Sequence, residues 1–207
     1  MFEQVLFIFT SLFTMINPLA ATPVYISLTQ GFSGKTRRKV IINACLTAFI
    51  AMVVFAVAGE AIFKVFGINV NALRVVGGIL FFVMGFEMLR GRSVPKKLDQ
   101  ETDDDFGKDI AVTPIGIPMV CGPGAITMVI LFMQEANTTE HTIAVVLAIF
   151  LVCLATALVF AVGDRILKFF GKIGASVMMR LLGLIMMLIA VEFFFAGLKH
   201  YVDILAS

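Results

Sequence analysis

Five of the six prolines in this 207-residue chain fall in two short apolar stretches, NPLAATPVY at Asn17–Tyr25 and TPIGIPMVCGPGAIT at Thr113–Thr127. Proline inside a helix removes an amide donor and clashes with the carbonyl four residues back, so both stretches predict a broken helix. Asn17 before Pro18, and Gly122 before Pro123 and Gly124, have the form of helix starts, with a capping residue or glycine followed by proline in the first helical position. Such starts leave amides near Leu19 and Ala20, and near Gly124 and Ala125, free to meet an anionic group, and the helix dipole favours that sign of charge. Carbonyls released by the same breaks can accept hydrogen bonds from an ammonium group. Thr22 and Thr127, one turn further on, add a hydroxyl to each half-helix. The expected chemistry is therefore non-covalent capture of a small zwitterion. Its candidate residues are Asn17, Pro18, Thr22 and Pro23 with Gly122, Pro123, Gly124, Ala125 and Thr127.

Other chemistries lack their residues. There is no HExxH and no GxSxG, and His141 and His200 stand alone. Cys45, Cys121 and Cys153 sit singly in apolar sequence, as packing thiols do. SGKTRRK at Ser33–Lys39 is no phosphate loop, because Thr29 stands where its first glycine is needed. The sequence thus predicts no enzyme, no metal and no cofactor. Asn43 and Thr47 suit either a polar cavity or hydrogen bonds between helices.

The elements that must position these residues are membrane spans. The chain is 60% apolar and 14% charged, with mean hydropathy +1.02, against about 25% charged for soluble domains. Apolar runs bounded by breakers give six predicted helices at 4–29, 40–63, 70–90, 110–134, 142–166 and 175–198. The run beginning at Val5 continues past Leu28 and follows Glu3 with no basic residue, so it reads as a first span instead of a cleavable leader. Thirteen Lys and Arg residues fall on the side of the first, third and fifth connections and three on the other. By the positive-inside rule both termini are external and the central charged linker is cytoplasmic. The net charge of +2, scattered over short loops, offers no footprint for nucleic acid.

The two halves of the chain resemble each other. NPLAAT at Asn17–Thr22 aligns with GPGAIT at Gly122–Thr127, GEAIFKVFG at Gly59–Gly67 with GDRILKFFG at Gly163–Gly171, RVVGGI at Arg74–Ile79 with RLLGLI at Arg180–Ile185, and Glu87 with Glu192, all at shifts of 104 to 106. With three spans per half, the second half enters the membrane from the opposite face, which makes the duplication an inverted repeat. The predicted organisation is a first three-helix repeat over 1–97, a linker over 98–108 and a second, inverted repeat over 109–207, with the first and fourth helices broken. Such repeats can exchange conformations and open a midplane site alternately to each face.

Four acids lie near span ends. Glu60, Asp164 and Glu87 precede Lys64, Lys168 and Arg90 by three or four residues, a spacing for helix ion pairs. Glu192, inside phenylalanine-flanked apolar sequence, is the candidate proton relay. Gly77, Gly78 and Gly85 on the third span permit close helix approach, within the chain or between copies.

NPLAATPVY, TPIGIPMVCGPGAIT and GINVNALRVVGGILFFVMGFEML resemble the MarC family, also called the neutral amino acid transporter family, of bacterial and archaeal integral membrane proteins. The resemblance covers nearly the whole chain. It implies an inner-membrane secondary transporter for small neutral amino acids such as glycine and alanine, with the broken first and fourth helices forming the site. Where the family often has glycine two residues after the first proline, this chain has Ala20, which reduces how closely cargo can approach that backbone. The expectation is an all-α, six-helix carrier in the bilayer, with H⁺ or Na⁺ as coupling ion. A passive channel or efflux valve for small solutes is the alternative, and a homo-oligomer is neither required nor excluded.

Overall fold

The computed structural model describes residues 1–29, 31–67, 69–90 and 103–206, and among them every regular element is helical. The first predicted span is two helices, α1 (Phe2–Ile16) and α2 (Pro18–Leu28), broken at Asn17. Helix α3 (Gly34–Phe66) is longer than expected at both ends. Ser33 caps it by accepting a hydrogen bond from the Thr36 amide, which draws Lys35, Arg37, Arg38 and Lys39 into its first turns. Gly67 ends it with φ 61°, a left-handed conformation that glycine adopts freely. Helix α4 (Val70–Arg90) has the predicted bounds. The boundary at 97/98 and linker residues 98–102 lie outside the described residues, while the rest of the linker is helical, in α5 (Asp103–Ile110).

The fourth span is the least regular. Between α5 and α6 (Pro123–Gln134) runs an irregular segment, Ala111–Val120, in which Thr113 (φ −135°, ψ 121°) and Ile117 (φ −132°, ψ 122°) are extended. Each precedes a proline, whose ring excludes the helical conformation from the residue before it. The segment closes with a wide turn, the Cys121 amide reaching the Gly116 carbonyl five residues back at 2.8 Å. Across the break the axis bends by 62°.

Helix α7 (Thr139–Ala206) carries helical backbone through both remaining predicted spans. No proline follows Pro123, so nothing in this part of the sequence strictly ends a helix. It is not a straight rod, however. Phe160 stacks on Tyr25 at 4.9 Å and Gly163 lies against Thr22, while Phe193 reaches Gly124 beside Met15, only seven residues before Thr22. A straight helix would hold Gly163 and Phe193 about 45 Å apart, so α7 doubles back between them. The later stretch then runs antiparallel to α4, with Gly85 against Gly183, Gly78 against Ala190 and Gly197 against Asn71.

Besides its apolar interior, the structure leaves many large apolar residues exposed, as a bilayer permits. On α3 the buried row Ala44, Ala48, Met52 and Ala56 recurs every fourth residue, while Ile42, Leu46, Ile50 and Val54 are exposed. On α7, Ala144, Ala148, Val152 and Thr156 face inward, and Leu147, Phe150, Leu154 and Leu158 face out. Lipid tails are as apolar as leucine, so helices in a membrane associate by close packing of small residues and leave large apolar ones to the lipid. Buried threonines satisfy themselves: Thr22, Thr29, Thr127 and Thr156 each donate to the carbonyl four residues back at 2.7 to 2.8 Å. Three stretches of the described residues, Phe2–Thr22, Gly34–Gly59 and Thr139–Gly163, are long and apolar enough to cross a bilayer, and the bent pair at 107–134 makes a fourth.

Candidate functional site

The two breaks are built differently from one logic. Asn17 takes φ 47° and ψ 66°, a left-handed conformation that asparagine tolerates and that the following proline does not block. It ends α1, its amide donating to the Phe13 carbonyl at 2.9 Å, and begins α2, its Oδ1 accepting from the Ala20 amide at 3.3 Å. Gly122 is instead extended (φ −88°, ψ 175°), and its carbonyl accepts from the Ile126 amide at 2.9 Å. One turn on, the two half-helices coincide: Thr22 donates to the Pro18 carbonyl at 2.7 Å and Thr127 to the Pro123 carbonyl at 2.8 Å.

These breaks leave backbone groups unspent. The carbonyl of Thr14 has no helical donor, because its partner would be the nitrogen of Pro18. Of the amides expected to be free, that of Ala20 is taken by Asn17 itself. Those of Leu19, Gly124 and Ala125 have no hydrogen-bond acceptor among the described residues. The carboxyl end of α1 thus meets the amino ends of α2 and α6, opposite dipole ends a few residues apart.

A cavity of about 180 Å³ opens at the first break, lined by Thr14, Met15, Asn17 and Ala20 from one side and by Met119, Phe81, Met186 and Phe193 from the others. It is mostly apolar, with Asn17, Thr14 and exposed backbone as its polar content. Its volume lies below the roughly 300 Å³ at which drug-sized sites begin.

The second break adjoins this cavity without lining it. Buried Gly124 packs on Met15 and Phe193, two of the lining residues, and a methyl group on Gly122 would lie 3.5 Å from the ring of a third, Phe81, and 2.7 Å from the Pro118 carbonyl. Pro123 packs on Gly77, and Ala125 is buried. Thr22 is separated from the cavity, buried against Gly163, and Thr127 lines a different, open cavity. Pro18 is buried, and the Pro23 side chain lies outside the described residues. Glu192 is exposed and lines neither cavity, whereas its neighbour Phe193 turns inward. Sequence reasoning missed Met15, Phe81, Met119, Met186 and Phe193, since apolar residues in apolar spans carry no signal of which cavity they wall.

Several expected pairings resolve differently. Arg90 lies over the Phe86 ring at 4.5 Å and Glu87 is exposed, so the anticipated Glu87–Arg90 ion pair is absent. Here a cation held against an aromatic face replaces a solvent-exposed pair of little worth. The side chains of Glu60, Asp164 and Lys168 lie outside the described residues. Thr47 packs on Gly116, which makes it a helix contact, and Gly77, Gly78 and Gly85 all make their close approaches within the chain.

Close contacts join the two halves at several glycines. A methyl group on Gly59 would come within 2.6 Å of Ile130, and one on Gly163 within 3.4 Å of Ile26. Likewise a methyl on Gly85 would meet the Gly183 carbonyl at 2.7 Å, and one on Gly78 the Ala190 carbonyl at 2.8 Å.

Comparison with known proteins agrees with the membrane character. The family model described as MarC family integral membrane protein matches residues 2–202. The UPF0056 membrane protein PH0760 of Pyrococcus horikoshii is 36% identical over 93% of this chain and 92% of its own. The UPF0056 membrane protein YvbG of Bacillus subtilis is 35% identical over the full length of both, and MJ1677 of Methanocaldococcus jannaschii 34% identical over 92% of this chain and 94% of its own. No solved structure matches the chain.

Proposed function

The chain belongs to the MarC family of integral membrane proteins, and we propose that it is a secondary transporter moving small neutral amino acids, of the glycine and alanine class, across the cytoplasmic membrane by alternating access. The cargo class comes from the family resemblance. The observation that carries the reading is the 180 Å³ cavity at the first break, walled by both halves of the chain and bordered by the unspent carbonyl of Thr14. A zwitterion fits that arrangement: its ammonium group faces the end of α1 and its carboxylate the start of α2.

Alternation is supported by the internal sequence repeat, since inverted halves can exchange conformations about a midplane site. In this reading there are six spans, α7 supplying the last two, and both termini lie on one face. The Met1 amino group pairs with Glu140 at 3.3 Å, and Asn71 meets Gly197 at the same end, away from Thr36 and Gly107. The charge count makes that end external. No covalent step is involved, and cargo acts by biasing two access states.

Counterflow in proteoliposomes tests this. With unlabelled alanine inside and a trace of labelled alanine outside, transient accumulation is expected, and imposed H⁺ and Na⁺ gradients identify the coupling ion. If protons couple, Glu192→Gln abolishes H⁺-driven accumulation while exchange persists. Folded protein that conducts without counterflow is a channel, and folded protein that exchanges no small neutral amino acid has another cargo.

A further inference from the structure

The second cavity, about 630 Å³ and open at one end of the helix packing, lies between the end of α3, the start of α4 and the flank of α6. Its charged lining among the described residues is Lys64 and Arg74, both positive. Amide side chains surround them. Arg74 Nη1 donates to Asn71 Oδ1 at 3.2 Å, and Asn71 in turn donates to Asn69 Oδ1 at 2.9 Å, which fixes the guanidinium at the rim. Gln134 faces it from α6. Inward lies Thr127, only 6% exposed and one turn from Pro123, so the cavity leads toward the second helix break.

The internal repeat singles out this lining. Of the polar residues that the aligned motifs share, the lysine (Lys64, matching Lys168), the arginine (Arg74, matching Arg180) and the threonine (Thr127, matching Thr22) all come to this one cavity, together with Gly67, which matches Gly171. Anchoring helix ends at the membrane surface would explain Lys64 and Arg74 singly. It would not bring them onto one cavity with a buried threonine from another helix.

We propose that this cavity is a vestibule for a soluble, carboxylate-bearing solute, which Lys64 and Arg74 draw in carboxylate first and which Asn71 receives by hydrogen bonding. A cleft lined with one sign of charge concentrates counter-ions and raises their encounter rate by about tenfold or more. The identity of the solute as transport cargo rests on the function proposed above; the charge selectivity of the cavity does not. A lipid phosphate shares the same anionic-oxygen chemistry, but its headgroup stays at the surface, whereas the lining here continues inward to Thr127.

Thiol labelling of the full chain in vesicles separates these cases. Cys45, Cys121 and Cys153 are buried, so Gln134→Cys introduces the reactive thiol, on an exposed lining position. With each reagent normalised to its rate on free cysteine, sulfonatoethyl methanethiosulfonate is expected to react about tenfold faster than the trimethylammonioethyl reagent. Lys64→Gln and Arg74→Gln each reduce that ratio, the pair brings it to one, and Lys64→Arg keeps it. Acetate and alanine slow the labelling and methylammonium does not. A ratio of one in Gln134→Cys itself overturns the proposal. So does protection that appears in phosphatidylglycerol vesicles, is absent in phosphatidylcholine vesicles and is unaffected by acetate, which would make the cavity a lipid headgroup site. Charge preference with acetate protection but no alanine counterflow leaves the vestibule standing and removes the transporter reading.

Discussion

Asn17 shows how much one side chain settles at the scale of the residue. It closes one helix, opens the next and spends its carboxamide on the Ala20 amide, so that Leu19, Gly124 and Ala125 are left with the free donors. Gly124 is the candidate glycine that packs directly on the wall of the smaller cavity. A Cβ there meets the side chain of Met15 before it reaches anything else, and Met15 is a flexible residue that walls the cavity. Gly124→Ala is therefore expected to fold, to push Met15 into the cavity and to weaken alanine binding in an equilibrium assay, with Met15→Ala in the same chain restoring it. Gly124→Val overfills the contact and should cost about 1 to 3 kcal/mol of stability, so loss of binding in that variant alone would not locate the site. Unchanged alanine affinity in a stable Gly124→Ala protein would place the cargo elsewhere.

At the scale of elements, the crossing of α4 with the returning stretch of α7 depends on glycines that face backbone. Gly78 and Gly85 each stand where a methyl would come within 2.8 Å of a carbonyl oxygen, and backbone cannot move aside as a methionine can. Gly78→Leu and Gly85→Leu should each destabilise the detergent-solubilised protein by about 1 to 3 kcal/mol, read as a lowered unfolding midpoint. An unchanged midpoint in either variant would show that the crossing does not depend on that glycine. The sequence showed these glycines and their shared register, but a glycine row does not say whether its partner is in the same chain. That needed the partner helix in place.

For the molecule as a whole, sidedness is the property to test. Met1 meets Glu140, and Thr36 lies beside Gly107. By the positive-inside rule applied to the 13 basic residues that the sequence assigns to the first, third and fifth connections, cysteines added at Met1 and after Ser207 should both react with an impermeant maleimide on intact cells, and one added beside Lys108 should not. Opposite labelling of the two termini would leave an odd number of spans and would dismantle the inverted repeat.

Read alone, the sequence yielded the membrane character, the α4 bounds and both helix breaks. Each of these is local: an apolar run, or a proline beside a capping residue. It also pointed to the threonines, although not to their bonding, since only the helical return to Pro18 and Pro123 shows where the hydroxyls donate. Tertiary structure decided what local pattern could not. It put Thr127 on the open cavity and Thr22 against Gly163, walled the smaller cavity with Met15, Phe81 and Phe193, and folded α7 back along α4. In a chain this uniformly apolar, the faces that meet protein and those that meet lipid have nearly the same composition. Which apolar residue lines a cavity is therefore fixed by close packing between distant helices, where residue size matters more than polarity.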